Sequence, residues 1–168
     1  MPAGSTYTPI ATTTLGSAQS SVTFNSFSGY TDLVLVSNMN STNSGMIDVY
    51  YRFNSDSGSN YSRTGMYGNG SVAGSFRAAN ETAGYYSYIN GTSVGTNTYS
   101  TNILQIQNYS NSTTNKTTLS RTASQGDSTI AVVGLWRSTS AITSITLGCA
   151  SGSFNAGSTF TLYGIASA

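Results

Sequence analysis

Histidine is absent from this chain of 168 residues, and cysteine occurs once, as Cys149. The first absence removes Ser-His-Asp and Cys-His catalysis, imidazole-ligated metals and the side chain that ordinarily titrates near neutral pH. The second removes an intrachain disulfide and any zinc site built from several thiolates. A lone thiol beside a strand-like segment reads as a small buried hydrophobe. Charge is scarce too: 7% of residues are charged and the net charge is +1, which is no basic field for nucleic acid to bind. The longest apolar runs, "DLVLV" and "IAVVGLW", fall far short of a bilayer core, so no membrane partner is expected. The start, "MPAGSTYTPIATTTL", shows neither a basic n-region nor a continuous apolar h-region, so the expectation is synthesis and folding in a cytoplasm.

What is present is the grammar of strands. "MIDVYYRF" puts Ile47, Val49, Tyr51 and Phe53 on one face and Met46, Asp48, Tyr50 and Arg52 on the other, a period of two. "SVTFNSF" alternates through Val22 and Phe24, and "TFTLYGI" through Phe160 and Leu162. "DLVLV" and "IAVVGLW" are apolar on both faces, as in central strands covered on each side or strands buried against a neighbouring subunit. Gly, Asn and Ser clusters break the chain at the spacing of a sandwich or barrel, and no stretch carries a helical repeat. The 11% aromatic content supplies a packed core, and the length suits a single domain. The prediction is an all-β, antiparallel, jelly-roll-like sandwich of about eight strands spanning 1–168. Residues 1–20 form an N-terminal arm or first strand, and 68–101 form irregular loops and edge strands.

Few residues offer chemistry. In "YRFNSDSGSNYSRT", Asn54, Asp56 and Gly58 echo a calcium loop, but the twelfth position is Gly65 where a bidentate Glu is needed. A hairpin turn is the better reading, since Asn, Asp, Ser and Gly tolerate positive φ and bond their own backbone. The acids Asp32, Asp48, Asp56, Glu81 and Asp127 show no close pairing in sequence, which argues against the paired carboxylates of a glycosidase. No catalytic, metal or cofactor-binding residue is assigned, and no enzyme activity is expected. Arg52 and Arg137 read as cations lying across aromatic neighbours. In "GYYSYING", Tyr85, Tyr86 and Tyr88 beside Asn90 form the one candidate recognition or interface surface; strict alternation would put Tyr86 and Tyr88 on one face and Tyr85 on the other. The sequons at Asn40, Asn60, Asn80, Asn90, Asn108, Asn111 and Asn115 follow from a composition rich in Asn, Ser and Thr.

Three segments taken together, "YYRFNSDSGSNY", "LWRSTSAITSITL" and "FNAGSTFTLYGI", resemble small β-sandwich structural proteins of tailed bacteriophages, those of cyanobacteria and other aquatic bacteria in particular. The matching parts are the arginine-bearing strand running into the Arg52–Tyr61 turn and the closing Gly-Ser turn and strand at Ala156–Gly164. The resemblance implies a virion surface protein, made in the host cytoplasm, with no enzymatic role. A capsid decoration or cement protein that docks on the major capsid protein fits the absence of heptads, G-X-Y runs and solenoid periods. The alternative it leaves open is a tail or head-fibre domain that binds host surface polysaccharide. In either case the expected assembly is a homotrimer.

Overall fold

A computed structural model describes residues 6–95, 97–124 and 128–166; Pro2 and Asp127 lie outside the described residues. The chain runs through β1 (Tyr7–Thr14), β2 (Ser21–Asn25), β3 (Asp32–Met39), β4 (Ile47–Phe53), β5 (Tyr61–Gly68) and β6 (Ala73–Glu81). It continues through β7 (Gly84–Ile89), β8 (Ser100–Ile106), β9 (Lys116–Ser124), β10 (Ser128–Trp136), β11 (Ser144–Cys149) and β12 (Thr159–Ile165). A 3-10 turn at Thr92–Val94 is the one helical element among the described residues. The protein is an all-β sandwich of two antiparallel sheets, with twelve strands among the described residues where the sequence suggested about eight. One sheet has the order β1-β12-β3-β8-β9-β10-β5-β6 and the other β2-β11-β4-β7.

The strands read from alternation form as expected. In β4, Ile47, Val49, Tyr51 and Phe53 are buried, and in β12, Phe160 and Leu162 are buried. A period of two puts these side chains on the covered face. β9 inverts the rule: Lys116, Thr118, Ser120 and Thr122 are buried while Leu119 is exposed. The cause is space. β7 comes within 8 Å of β10, β9 and β5, Cα to Cα, closer than the ~10 Å usual between facing sheets. Thr118, Ser120 and Thr122 are small enough to fit there, and two hydroxyls are bonded across the gap, Ser120 Oγ to the Tyr86 carbonyl at 2.7 Å and Thr122 Oγ1 to Ser87 Oγ at 2.9 Å.

The hairpin expected across "NSDSGSN" needs correction. β4 belongs to the small sheet and β5 to the large one, so the turn is a corner that carries the chain between layers. Asn54 and Ser55 take positive φ, 52° and 58°, the left-handed region Asn tolerates better than most residues. Asp56 then plugs the corner. Its carboxylate accepts from the Trp136 indole at 2.6 Å, the Asn60 amide at 2.9 Å and the Gly58 N–H at 2.8 Å. Burial pushes this carboxyl up, but those three donors together hold it below its ordinary value. Asn54 clamps the incoming β11 segment, accepting from the N–H groups of Thr143 and Ser144 and donating to the Ala141 carbonyl. Every polar atom that suggested a metal loop is thus engaged in holding the corner.

β6 and β7 are the free edges of the large and small sheets at the same end of the sandwich. β6 extends past the cover of β7, and that overhang creates the site described next.

Candidate functional site

β7 carries the "GYYSYING" tyrosines, and a bulge in its pairing with β4 decides where they point. Val49 faces Ser87 and Tyr50 faces Tyr85, so Tyr86 is the extra residue. An extra residue breaks the alternation locally. Tyr86 and Ser87 therefore both face the interior, and Tyr85 and Tyr88 stay part-exposed, which corrects the pairing of Tyr86 with Tyr88. Tyr86 is 1% exposed and burial raises its phenol far above the ordinary value. Asn90 is fully buried; its N–H donates to Ser100 Oγ at 3.2 Å and its Oδ1 accepts from Ser124 Oγ at 2.6 Å. The structure thus brings Tyr85 and Tyr88 to the surface and places Tyr86 and Asn90 inside.

Beside Tyr88 lies a cleft of about 450 Å³ lined by Met46, Tyr67, Phe76, Tyr88, Ser128 and Ile130, within the size range of small-ligand sites. Its floor is the overhanging part of the large sheet, and its wall is the β7 edge with Met46. Glycines make the floor possible. A methyl group at Gly65 would collide with the Phe76 ring, and one at Gly74 with the Tyr67 ring, so each ring lies across bare backbone of the neighbouring strand. The two ring centroids are 6.4 Å apart with a 32° tilt. Tyr67 and Met46 remain 41% and 44% exposed, a wet aromatic surface that the core does not need.

Arg63 packs against Phe76 next to the cleft without lining it. Its guanidinium carbon lies 5.4 Å from the Phe76 centroid and 4.8 Å from that of Tyr85, so the cation is held between two rings. Its nitrogens meet Asp48 and Glu81, each at 3.3 Å. Burial raises the Glu81 carboxyl, which Arg63 opposes and Asp48 reinforces; the Tyr88 phenol is raised by burial and by the Asp48 carboxylate. Asp48 and Glu81, distant in sequence, therefore meet on one guanidinium. Sequence reading missed Tyr67, Phe76 and Arg63; the usable signal was the pairing of aromatic residues with glycines in "SRTGMYG" and "AGSF".

The other cations serve structure or stand alone. Arg137 ties β10 to β5 and the β6 end, donating to Ser62 Oγ, the Ser59 carbonyl and Asn80 Oδ1 at 3.0–3.1 Å. Arg52 lies 5.0 Å from the Tyr50 centroid and donates to the Thr82 carbonyl. Lys116 is 1% exposed, and its ammonium is held by the carbonyls of Thr114 and Thr139 at 2.8 and 3.1 Å. Cys149 is buried with its thiol pushed up to about 12, so it is no ready nucleophile. No group of three or more Cys, Asp or Glu side chains suited to a metal ion occurs among the described residues.

The outer face of the large sheet is a second surface. Tyr163, Val34, Gln105, Leu119, Val133 and Thr64 form one cross-strand row, and Val36, Ile103, Arg121, Ala131 and Met66 the next. Met66, Val133 and Leu119 are 66%, 55% and 46% exposed. Of the two readings of "IAVVGLW", β10 thus has one face in the core and one face open.

No protein-family model and no curated protein matches the chain. Among solved structures, an exo-inulinase from Aspergillus awamori superposes with a TM-score of 0.49 and 14% identity, over 95% of this chain and 29% of its own. The chain therefore spans less than a third of that protein's length.

Proposed function

We propose that the chain is a structural protein of a bacteriophage virion, a decoration or cement module that docks on the outside of the shell. The observation that carries this reading is the outer face of the eight-stranded sheet. Eight strands about 4.8 Å apart and about 20 Å long make a face of roughly 770 Å², the scale of one partner's share of a standard interface, roughly 800 Å². Its central rows are apolar, and the charged side chains in them are Arg121 and, toward the β6 edge, Arg77. A shell protein with an apolar patch flanked by carboxylates would complement it. The interior supports such a role, because a body pinned at its corner by Asp56 and Trp136 transmits load without rearranging. No catalytic step is assigned, and a homotrimer is the assembly we expect on the shell.

The test is the copy number of this chain relative to the major shell protein in purified particles. A ratio near one, or one copy per few shell subunits, is the expected result. A handful of copies per particle would overturn it and place the protein on a tail or unique vertex. A second reading, recognition of host surface polysaccharide, is favoured by one feature, the aromatic cleft beside Tyr88.

A further inference from the structure

We propose that the cleft between β6 and β7 binds a neutral oligosaccharide, stacked on Tyr67 and Phe76 and bounded by Tyr88 and Met46. This inference gives a site and a ligand class to the polysaccharide reading above and rests on it for its biological setting.

Three observations converge. First, two rings laid side by side over glycine backbone form a platform wider than one side chain, and such a surface suits a flat, weakly polar partner. The C–H face of a pyranose is such a partner, since its slightly positive hydrogens meet the negative faces of the rings. Second, a polar group borders the cleft where hydroxyls would emerge, the Tyr88 phenol, and the carboxylate of Asp48 acts on that phenol from outside the lining. Third, the charge balance selects among sugars. The lining holds no cation, and Arg63, which packs against Phe76 beside it, is already held by two carboxylates and two rings. The local excess is negative, and a uronic or sialic acid would meet repulsion with no cation left to receive it. An apolar peptide is a poorer occupant, because the Tyr88 phenol at the rim would lose water without gaining a partner.

The test uses the full chain labelled with ¹⁵N and titrated with gluco-, manno- and galacto-configured neutral hexaoses and with hexamers of uronic acids. The expected result is that at least one neutral hexaose, at millimolar concentration, moves the amide signals of Tyr67, Gly74, Phe76 and Tyr88. Tyr67→Ala should weaken that binding at least tenfold while leaving the melting temperature close to that of the native chain. Phe76→Leu, which keeps an apolar cover over Gly65, should weaken it as well. The proposal is overturned if no neutral hexaose moves those signals, if Tyr67→Ala binds as the native chain does, or if a uronic hexamer binds equally well. Labelled protein applied to host cells separates the two levels: cell binding unchanged by Tyr67→Ala sinks the cleft but not polysaccharide recognition, whereas absence of both cell and hexaose binding sinks both.

Discussion

In the half of the sandwich built from β2, β11, β4, β12 and β3, the inward side chains are Phe24, Leu35, Phe53, Leu147 and Phe160, each 4% exposed or less. In the half where β7 meets β8 and β9, Ser87, Asn102, Ser120 and Thr122 point inward among Tyr86, Ile89, Leu104 and Ile106, no more exposed than the first group. The first half is held by area and shape, which tolerate small shifts of one sheet over the other. The second is held by directed bonds, with Asn102 Nδ2 donating to Thr122 Oγ1 at 2.7 Å and Thr122 in turn donating to Ser87. Such a seam contributes modestly to stability but fixes where β7 sits, because a buried hydroxyl off register would lose its partner. The cleft lies at the edge of this second half, so the position of its wall is set by hydrogen bonds rather than by bulk.

The comparison can be tested from its largest consequence downward. Phe160→Ala should cost about 3–5 kcal/mol in urea unfolding, because Phe160 is fully buried against Phe154 and the cavity cannot close. A cost no larger than that of a seam substitution would break the distinction. Next comes alkali. The Tyr61 phenol, packed against Tyr51 and Trp136, is pushed up to about 12 by burial, against an ordinary value of 10.0. A group raised on folding stabilises fully below its unfolded value and loses that contribution as pH rises through the folded one. Stability should therefore hold below pH 10 and fall as pH approaches and passes 12, by on the order of 2–3 kcal/mol from this group. Tyr51 and Tyr86 are shifted in the same direction by burial. Tyrosinate absorbance rising before the fold is lost would contradict it. The smallest effect belongs to the seam. Thr122→Val should cost about 1–2 kcal/mol by removing one Asn102 bond and the bond to Ser87, whose hydroxyl keeps only the Tyr88 carbonyl, and adding Ser87→Ala should recover part of it. Strict additivity in that double-mutant cycle would mean the seam is not a network.

The same contrast explains what the sequence made legible. β2, β4 and β12 were readable because their buried residues are apolar at every second position. β9 was not, because its buried face is Lys116, Thr118, Ser120 and Thr122 and its exposed face holds Leu119, so the hydropathy pattern is inverted. The close approach of β7 that selects those small side chains is a tertiary fact with no local signature. The corner at Asn54 and Ser55 looked like a hairpin because turn residues specify a local reversal and say nothing of which sheet receives the next strand. At the candidate site, "GYYSYING" announced tyrosines, but the bulge that turns Tyr86 inward depends on pairing with β4. The platform itself comes from two other strands, where Gly65 and Gly74 make room for Phe76 and Tyr67.

The strand order also governs when the fold can form. β11 is inserted between β2 and β4, and β12 between β1 and β3, so the last two strands of the sandwich in chain order are interior members between some of the first. At about 5–20 residues per second, ribosomal synthesis leaves β1 and β2 without a neighbour, and β3 and β4 with one of two, for several seconds. The run from β8 through β10 can zip onto β5 and β6 in the meantime, since these neighbours are already made. Synthesis thus passes through a half-built body whose apolar strands await a partner, and a chaperone or the rapid arrival of β11 and β12 would have to guard them.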